Sequence, residues 1–183
     1  MADADVLYLT VGELGKLLRE RKITSKDLTL SYIARIKEVD PKLNSFVTVT
    51  EELAIQQANR AAREIQSGSY LGPLHGIPYG AKDLLAIKGI PTTWGSKIFS
   101  KQVFDYDATV ISRLRDAGAV LLGKLNMIEL AGGTGYRFGS ASATGATHNP
   151  WDVSRWAGGS SCGAGAALGA GLAGFATASE PWG

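Results

Sequence analysis

Apolar residues in the first 70 positions recur every three or four residues, which is the spacing of one face of an α-helix. The pattern predicts three helices, over residues 11–22, 25–39 and 51–67, and a strand at residues 46–50. Pro41 is expected to end the second helix, because proline lacks the N–H that a helix interior needs. The apolar stripes predict core packing rather than a ligand site. They comprise Leu14, Leu17, Leu18, Leu28, Tyr32, Ile36 and Val39.

From Leu74 onwards, short apolar runs replace the helical stripes. The predicted strands are 77–81, 119–124 and 172–178, and the predicted helices are 108–116 and 161–171. The segment 132–159 is rich in Gly, Ser and Thr and predicts a long loop. Strands that alternate with helices indicate an α/β fold with a largely parallel sheet.

Composition and charge divide the chain into two parts. The 183 residues suit one domain, and an apolar share of 45% predicts a packed core rather than disorder. The first 70 positions hold 20 of the 36 charged residues, whereas the last 27 hold 8 Gly, 8 Ala and a single charge, Glu180. We therefore predict a solvated helical flank at 1–70 and a closely packed core at 71–183.

The same counts exclude several classes of protein. A net charge of +2 argues against a nucleic-acid surface, which normally carries a concentrated basic excess. One cysteine excludes a disulfide framework, and two histidines leave little for a metal cluster, so no metal is expected. The acidic N-terminus does not resemble a secretion signal, and no run reaches the ~20 apolar residues of a membrane span. We expect a cytoplasmic protein without membrane or nucleic-acid contact.

Lys82 is the first candidate for chemistry. It follows the predicted strand 77–81 and precedes Asp83. A lysine buried there is costly unless it is paired or neutral. Two interpretations remain open: a surface lysine paired with a nearby carboxylate, or a lysine whose pKa is low enough for it to accept a proton near neutral pH.

The second candidate is the glycine- and serine-rich segment 158–165, where glycines allow close approach of the backbone. Residues 159–163 fit the G-x-S-x-G elbow of α/β-hydrolases, but that fold needs a histidine after the serine, and His75 and His148 both precede it. Residues 169–174 fit the GxGxxG dinucleotide pattern only where a helix is expected to end, so we treat that match as accidental. A Ser/Lys hydrolase, which needs no histidine, is the third interpretation.

Several motifs resemble the amidase signature family in its order and spacing, from about residue 7 to the last residue. The most diagnostic are Gly-Ile-Pro-Tyr-Gly-Ala-Lys-Asp at 76–83 and Gly-Gly-Ser-Ser at 158–161. Others lie at 89–96, 106–110, 117–120, 123–127 and 148–152. The resemblance implies an α/β/α amidase signature fold around a mixed central sheet. It also implies that residues 1–183 are the N-terminal part of one longer domain, so that the fold is incomplete in this chain.

The resemblance also assigns roles. Lys82 matches the catalytic lysine of the family, and Ser160 matches the serine that follows a cis peptide bond. The nucleophilic serine of the family would align with the position after Gly183. Ser161, Ser179, Trp182 and Gly183 fall in the oxyanion and substrate loop, whereas Pro181 has no N–H to donate there. Cys162 replaces a usual glycine and is expected to be a small buried residue.

The resemblance implies a cofactor-independent hydrolase that acts on a small-molecule amide, and leaves open a homodimer. Because the nucleophile position follows Gly183, we expect the 183-residue chain alone to be inactive. One alternative is the glutamine-hydrolysing component of a glutamyl-tRNA(Gln) amidotransferase, although 129–132 and 180–182 look closer to free-standing amidases. Another is a non-catalytic truncated paralogue that acts as a binding module.

Overall fold

The computed structural model describes residues 6–132 and 137–180. The first part of the chain contains helices α1 (Val11–Arg19), α2 (Ser25–Leu43) and α3 (Glu51–Gln66) and strand β1 (Phe46–Val49). This confirms the predicted order of three helices and one strand. At the start of α1, the Thr10 side chain accepts the Glu13 N–H, and the Glu13 carboxylate accepts the Thr10 N–H at 2.8 Å, a reciprocal cap.

The prediction that Pro41 ends the second helix is wrong, because α2 continues to Leu43 with Pro41 inside it. The last turn is held from both sides of the proline. The N–H of Asn44, which has a left-handed backbone with φ of 55°, donates to the Asp40 carbonyl. The Asp40 carboxylate accepts the N–H groups of Ser45 and Phe46. Pro41 leaves the carbonyl of Lys37 without its helical partner, and because Lys37 is exposed, water can satisfy that carbonyl.

The rest of the chain alternates strands and helices. The elements are β2 (Pro78–Lys82), α4 (Thr109–Asp116), β3 (Val120–Leu125), β4 (His148–Asn149), β5 (Asp152–Trp156), α5 (Cys162–Gly169) and β6 (Phe175–Thr177), with single 3₁₀ turns at Lys97–Phe99 and Glu129–Ala131. The antiparallel pair β4–β5 lies inside the segment predicted as a loop. That part of the prediction is wrong, and residues 133–136 of the same segment lie outside the described residues.

Four strands form the main sheet in the order β1-β3-β2-β6. Strand β2 pairs in parallel with β3 and with β6, whereas β1 pairs antiparallel with β3. The sheet is therefore mixed, and the predicted α/β class is confirmed. Because β2 lies between two parallel neighbours, its carboxyl end at Lys82 is flanked by the carboxyl ends of both. That end of a parallel sheet is where α/β proteins place ligand sites.

Apolar side chains pack on both faces of this sheet. On one face, Val120, Leu122 and Leu125 of β3 meet the buried residues of α1, α2, α3 and α5. On the other face, Tyr79 and Leu121 meet Ile111 of α4. Helices thus cover both faces, as the resemblance to an α/β/α fold implied. Strand β1, from the part predicted as a helical flank, belongs to the sheet itself.

The first turn of α5 lies directly on the backbone of two other segments. A Cβ atom at Gly163 would fall 2.4 Å from the Asn126 nitrogen and 2.4 Å from the Ser45 carbonyl oxygen, so only glycine fits. The Gly163 N–H donates to the Asn126 carbonyl at 3.0 Å. This close approach brings the residues that precede α5, Ser160 and Ser161, to the carboxyl end of β2.

Candidate active site

Lys82 is the last residue of β2, and its side chain is only 1% exposed. Its Nζ atom lies 2.8 Å from the Oγ atoms of Ser160 and Ser161 and 2.7 Å from that of Ser179. The interpretation of Lys82 as a surface lysine paired with a carboxylate is therefore wrong. The structure brings together three hydroxyl groups around one buried amine.

Each hydroxyl reaches the amine for a reason that lies in the backbone. Ser160 and Ser161 precede α5, which the packing of Gly163 holds in place. Ser179 follows β6, and because β6 is parallel to β2 its carboxyl end lies beside that of β2. The Thr177 hydroxyl adds a link between these strands by accepting the Lys82 N–H at 3.1 Å.

The peptide bond between Gly159 and Ser160 is cis, as the resemblance implied. The Ser160 carbonyl accepts the Ile128 N–H at 3.0 Å. Ile128 also packs on Gly159, where a Cβ atom would lie 2.5 Å from the isoleucine Cγ1 atom. The backbone at Ser160 is thus held by the segment that follows β3, and its hydroxyl faces Lys82.

Ser161 and Ser179 are hydrogen-bonded to each other as well as to the lysine. The Ser161 hydroxyl lies 3.2 Å from the Ser179 carbonyl oxygen and 3.3 Å from the Ser179 nitrogen. The assignment of both residues to the oxyanion and substrate loop stays a prediction, and in the structure both hydroxyls lie against the amine. Trp182 and Gly183, the other two residues of that prediction, lie outside the described residues.

Burial is the largest influence on the pKa of Lys82 and lowers it, while Cys162 and Glu180 act in the opposite direction. A neutral amine has two N–H donors and one lone pair, so with three hydroxyls around it one can donate to the nitrogen while the others accept. The site can therefore take a proton from a serine hydroxyl. This is the chemistry that a general base needs.

Cys162, at the start of α5, is buried, and burial raises the pKa of its thiol. A thiol with a raised pKa holds little thiolate at neutral pH and is a poor nucleophile. The expectation that Cys162 is a small buried residue is confirmed.

A polar network surrounds Asn126, which directly follows β3 and was not among the predicted site residues. The Asn126 side-chain nitrogen donates to the carbonyl oxygens of Asn44 and Gly145 at 3.1 Å and to the Thr147 hydroxyl at 3.0 Å. Its side-chain oxygen accepts the Ser142 hydroxyl. The network fixes the 142–147 loop beside the first turn of α5. An asparagine at the end of a buried strand was the available signal, because a buried amide needs hydrogen-bond partners.

Lys124, on β3, was also missed as a site residue. It is fully buried and pairs with Asp83 at 2.8 Å, so the sheet carries two buried lysines on neighbouring strands. The signal was a lysine inside the strongest apolar run of the sequence.

Comparison with known proteins decides the family. A family model described as Amidase matches residues 27–181. The chain belongs to the amidase family. Known amidases are therefore the proteins with which this chain can be compared. The features to compare are the order of Lys82, Ser160 and Ser161 along the sequence and their contact at the end of β2.

The curated relatives include one component of glutamyl-tRNA(Gln) amidotransferase from several bacteria. The protein of Psychrobacter sp. (strain PRwf-1) is 44% identical over 180 residues. Its counterpart in Moorella thermoacetica is 43% identical over 179 residues. These matches cover 98% of this chain but 35% and 36% of the relatives. The chain thus spans about a third of the length of the curated relatives it matches.

Solved amidase structures agree with the fold. A crystal structure of an amidase shares 35% identity and a TM-score of 0.82 over 92% of this chain and 38% of that one. The native peptide amidase of Stenotrophomonas maltophilia shares 35% identity and a TM-score of 0.80 over 90% and 34%. A 6-aminohexanoate cyclic dimer hydrolase shares 32% identity and a TM-score of 0.78 over 91% and 33%.

Two further observations concern the described part of the chain. None of the helices in residues 6–132 and 137–180 has the length and apolarity needed to cross a bilayer. The same residues contain no group of three or more His, Cys, Asp or Glu side chains that could hold a metal ion.

Proposed function

We propose that this chain is the N-terminal part of a single amidase signature domain that hydrolyses a small-molecule amide to a carboxylic acid and an amine or ammonia. One observation carries the proposal. The Lys82 amine is buried and lies 2.8 Å from the Ser160 hydroxyl, so a proton can pass between them. The family membership supports the choice of an amide as the bond that is cleaved.

In the first step, neutral Lys82 takes a proton at Nζ from the Ser160 hydroxyl, while Ser160 takes the proton of the nucleophilic serine. That serine attacks the amide carbonyl and forms a C–O bond. Burial lowers the pKa of Lys82 and so keeps the amine, over a wider pH range, in the neutral form that this step requires. Ser161 and Ser179 fix the position of Nζ from the other sides.

In the second step, the relay runs in reverse. The proton held by Lys82 returns through Ser160 to the leaving nitrogen, the C–N bond breaks, and an acyl-enzyme remains. Water then cleaves the ester. The N–H groups of Trp182 and Gly183 are the proposed donors to the oxyanion, which can lower the barrier by several kcal/mol. Pro181 cannot serve there because it has no N–H.

The family motif aligns its nucleophilic serine with the position after Gly183. The relay needs that serine, so we expect amide hydrolysis from a protein that extends past this position and none from residues 1–183 alone. Sequencing the gene beyond Gly183 is the direct check. An open reading frame with a serine codon supports the enzyme, whereas an immediate stop codon favours the non-catalytic binding module.

The function itself is tested with a panel of aliphatic, aromatic and amino-acid amides, with release of ammonia or amine as the readout. Lys82→Ala and Ser160→Ala should each abolish turnover of whichever amide is cleaved. Lys26→Ala and Ser100→Ala are matched controls, because both side chains are exposed. Turnover at the wild-type rate in either site variant would contradict the proposed relay.

The glutamine-hydrolysing component of an amidotransferase is the second candidate. One observation favours it: eight curated relatives at 42–44% identity are all the same component of glutamyl-tRNA(Gln) amidotransferase. Such a protein would hydrolyse glutamine and pass ammonia on to a partner. Glutaminase activity that appears only when a partner protein is added would decide for it, and turnover of simple amides by the full-length protein without a partner would decide against it. A cytoplasmic location and assembly as a homodimer stay predictions.

A further inference from the structure

Asp83 follows Lys82 directly, and the two side chains make separate contacts. The backbone still pairs with β3 at this point, because the Asp83 N–H donates to the Leu125 carbonyl at 3.0 Å. Lys82 contacts the serines beside α5, whereas Asp83 contacts Thr93 and Lys124. Consecutive residues of an extended chain point to opposite faces of a sheet.

The register of the sheet places the two buried lysines on opposite faces. Lys124 is the neighbour of Ala81, and Lys82 is the neighbour of Leu125. Neighbouring residues in register share a face. Ala81 packs in the core on the α4 side, and Leu125 packs in the core on the α5 side. Lys82 therefore faces α5, and Lys124 faces away from it.

The Asp83–Lys124 pair is fully enclosed. The lysine Nζ lies 2.8 Å from Asp83 Oδ1, and both side chains are 0% exposed. The Thr93 N–H and hydroxyl donate to the other carboxylate oxygen, Oδ2. The Lys124 amine also donates to the Thr92 hydroxyl at 2.7 Å. The pair thus joins β2, β3 and the loop at 92–93.

The charges in this pair depend on each other. Among the described residues, Asp83 Oδ1 has no hydrogen-bond partner besides the lysine of the ion pair. Asp83 is also the one carboxylate in those residues that is fully buried. Removing Lys124 would leave a buried negative charge one residue from Lys82, and removing Asp83 would leave a buried positive charge on the neighbouring strand.

From this geometry we propose that Asp83 and Lys124 are positioning residues for the Lys82–Ser160 relay. Their ion pair anchors the carboxyl end of β2, and it holds a balanced pair of charges on the face of the sheet opposite the amine that takes the proton. The inference rests on the proposed function in one respect only, namely that Lys82 acts as the proton acceptor.

The test is a pH titration of Lys82 by NMR of the side-chain ¹³Cε and ¹⁵Nζ nuclei in the full-length protein, with Lys82→Arg to assign the signal. An unbalanced carboxylate favours the charged amine, so Lys124→Met should raise the titration midpoint of Lys82 by about one unit. In Asp83→Asn, the unpaired ammonium of Lys124 disfavours the charged form of Lys82, so the midpoint should fall by about as much. Asp83→Asn with Lys124→Met should return it to the wild-type value.

Cys162 and Glu180 also act on Lys82, and both are unchanged in these variants. The matched control is the exposed pair between Lys37 and Glu51, where Lys37→Met and Glu51→Gln should leave Lys82 unaffected. A role in stability alone would not move the midpoint in opposite directions. Single variants that leave it unchanged, or move it in the same direction, overturn the proposal.

Either single variant could fail to fold, because each leaves a buried charge unpaired. The double variant then carries the test. A folded double variant whose Lys82 titrates as in the wild type supports the pair, and a double variant that stays unfolded overturns it. Amide hydrolysis is measured on the same samples. If the single variants shift the Lys82 midpoint in opposite directions but the wild type does not hydrolyse amides, the proposed function is wrong and the role of the pair stands. If the wild type hydrolyses amides but the midpoints do not shift in opposite directions, only the role of the pair is wrong.

Discussion

The Nζ atom of Lys82 lies 2.8 Å from the Oγ atom of Ser160, although 78 positions separate the two residues along the chain. The lysine is fixed by β2, an inner strand of the sheet, and the serine by the close packing of the following helix on the end of β3. A proton acceptor and a hydroxyl are thus held together by the backbone rather than by flexible loops. Four measurable properties of the protein depend on the atoms in and around this contact.

The activity of the full-length enzyme should depend on the neutral form of Lys82. Burial lowers the pKa of Lys82 below its ordinary 10.5, so the neutral amine is the dominant form from that lowered value upwards. Activity should rise with pH through the lowered pKa and be lost as the pH falls below it. The pH profile of kcat/KM measures this. Lys82→Arg stays protonated throughout and should lose about 100-fold to 10,000-fold in rate. A flat profile in the wild type would contradict the prediction.

Ser179 should act through its hydroxyl rather than through the rest of its side chain. Its Oγ atom lies 2.7 Å from Lys82 Nζ. Ser179→Ala removes one of three hydroxyls around the amine and should lower kcat about fivefold, since the net free energy of such a hydrogen bond is about 1 kcal/mol. Ser179→Thr keeps the hydroxyl and should retain most of the activity. Equal losses in both variants would show that the hydroxyl is not what matters.

Two glycines of α5 provide a matched pair for stability. Gly163→Ala would place a Cβ atom 2.4 Å from backbone atoms of Asn126 and Ser45, and should destabilise the protein by about 1–3 kcal/mol. Gly165 has nothing within 4 Å of such an atom and is exposed, so Gly165→Ala should raise stability by up to about 1 kcal/mol. Urea unfolding measures both. The prediction fails if the two variants change stability in the same direction.

Cys162 should be dispensable for chemistry. Its thiol is buried, and burial raises its pKa, so neither thiolate attack nor rapid alkylation is expected. Cys162→Ala should retain hydrolysis within about twofold, and iodoacetamide should leave the folded wild-type enzyme active. Inactivation by iodoacetamide that Cys162→Ala prevents would assign the thiol a place in the reaction.

Residue patterns predicted the elements whose causes are local. The helical stripes of α1, α2 and α3 were found because one buried face imposes a period on the sequence, and β2 and β3 were found because burial on both faces gives a continuous apolar run. The end of α2 was missed because an Asp40 carboxylate and a left-handed Asn44 outweigh Pro41, and neither effect has a periodic signature. The β4–β5 pair was missed because its strands are short and mostly exposed, so no alternation marks them.

In the candidate site, too, the residues with a local sequence signal were predicted and the contacts between distant segments were not. Lys82 and Ser160 were identified through their motifs, and the cis peptide bond before Ser160 through the resemblance. That Ser161 and Ser179 meet the same amine depends on the parallel pairing of β2 with β6, a contact between distant segments. Asp83 and Lys124 were not singled out, because a charged residue in an apolar run shows that a partner is needed but not which residue it is.

The position of β2 between β3 and β6 has a consequence for biosynthesis. On the ribosome, β2 emerges before either parallel neighbour, and Thr177, which accepts the Lys82 N–H, is made 95 residues after Lys82. Until β6 has left the exit tunnel, one edge of β2 is unpaired and open to association with other chains. During translation of this interval, a nascent-chain chaperone would protect the exposed edge of β2.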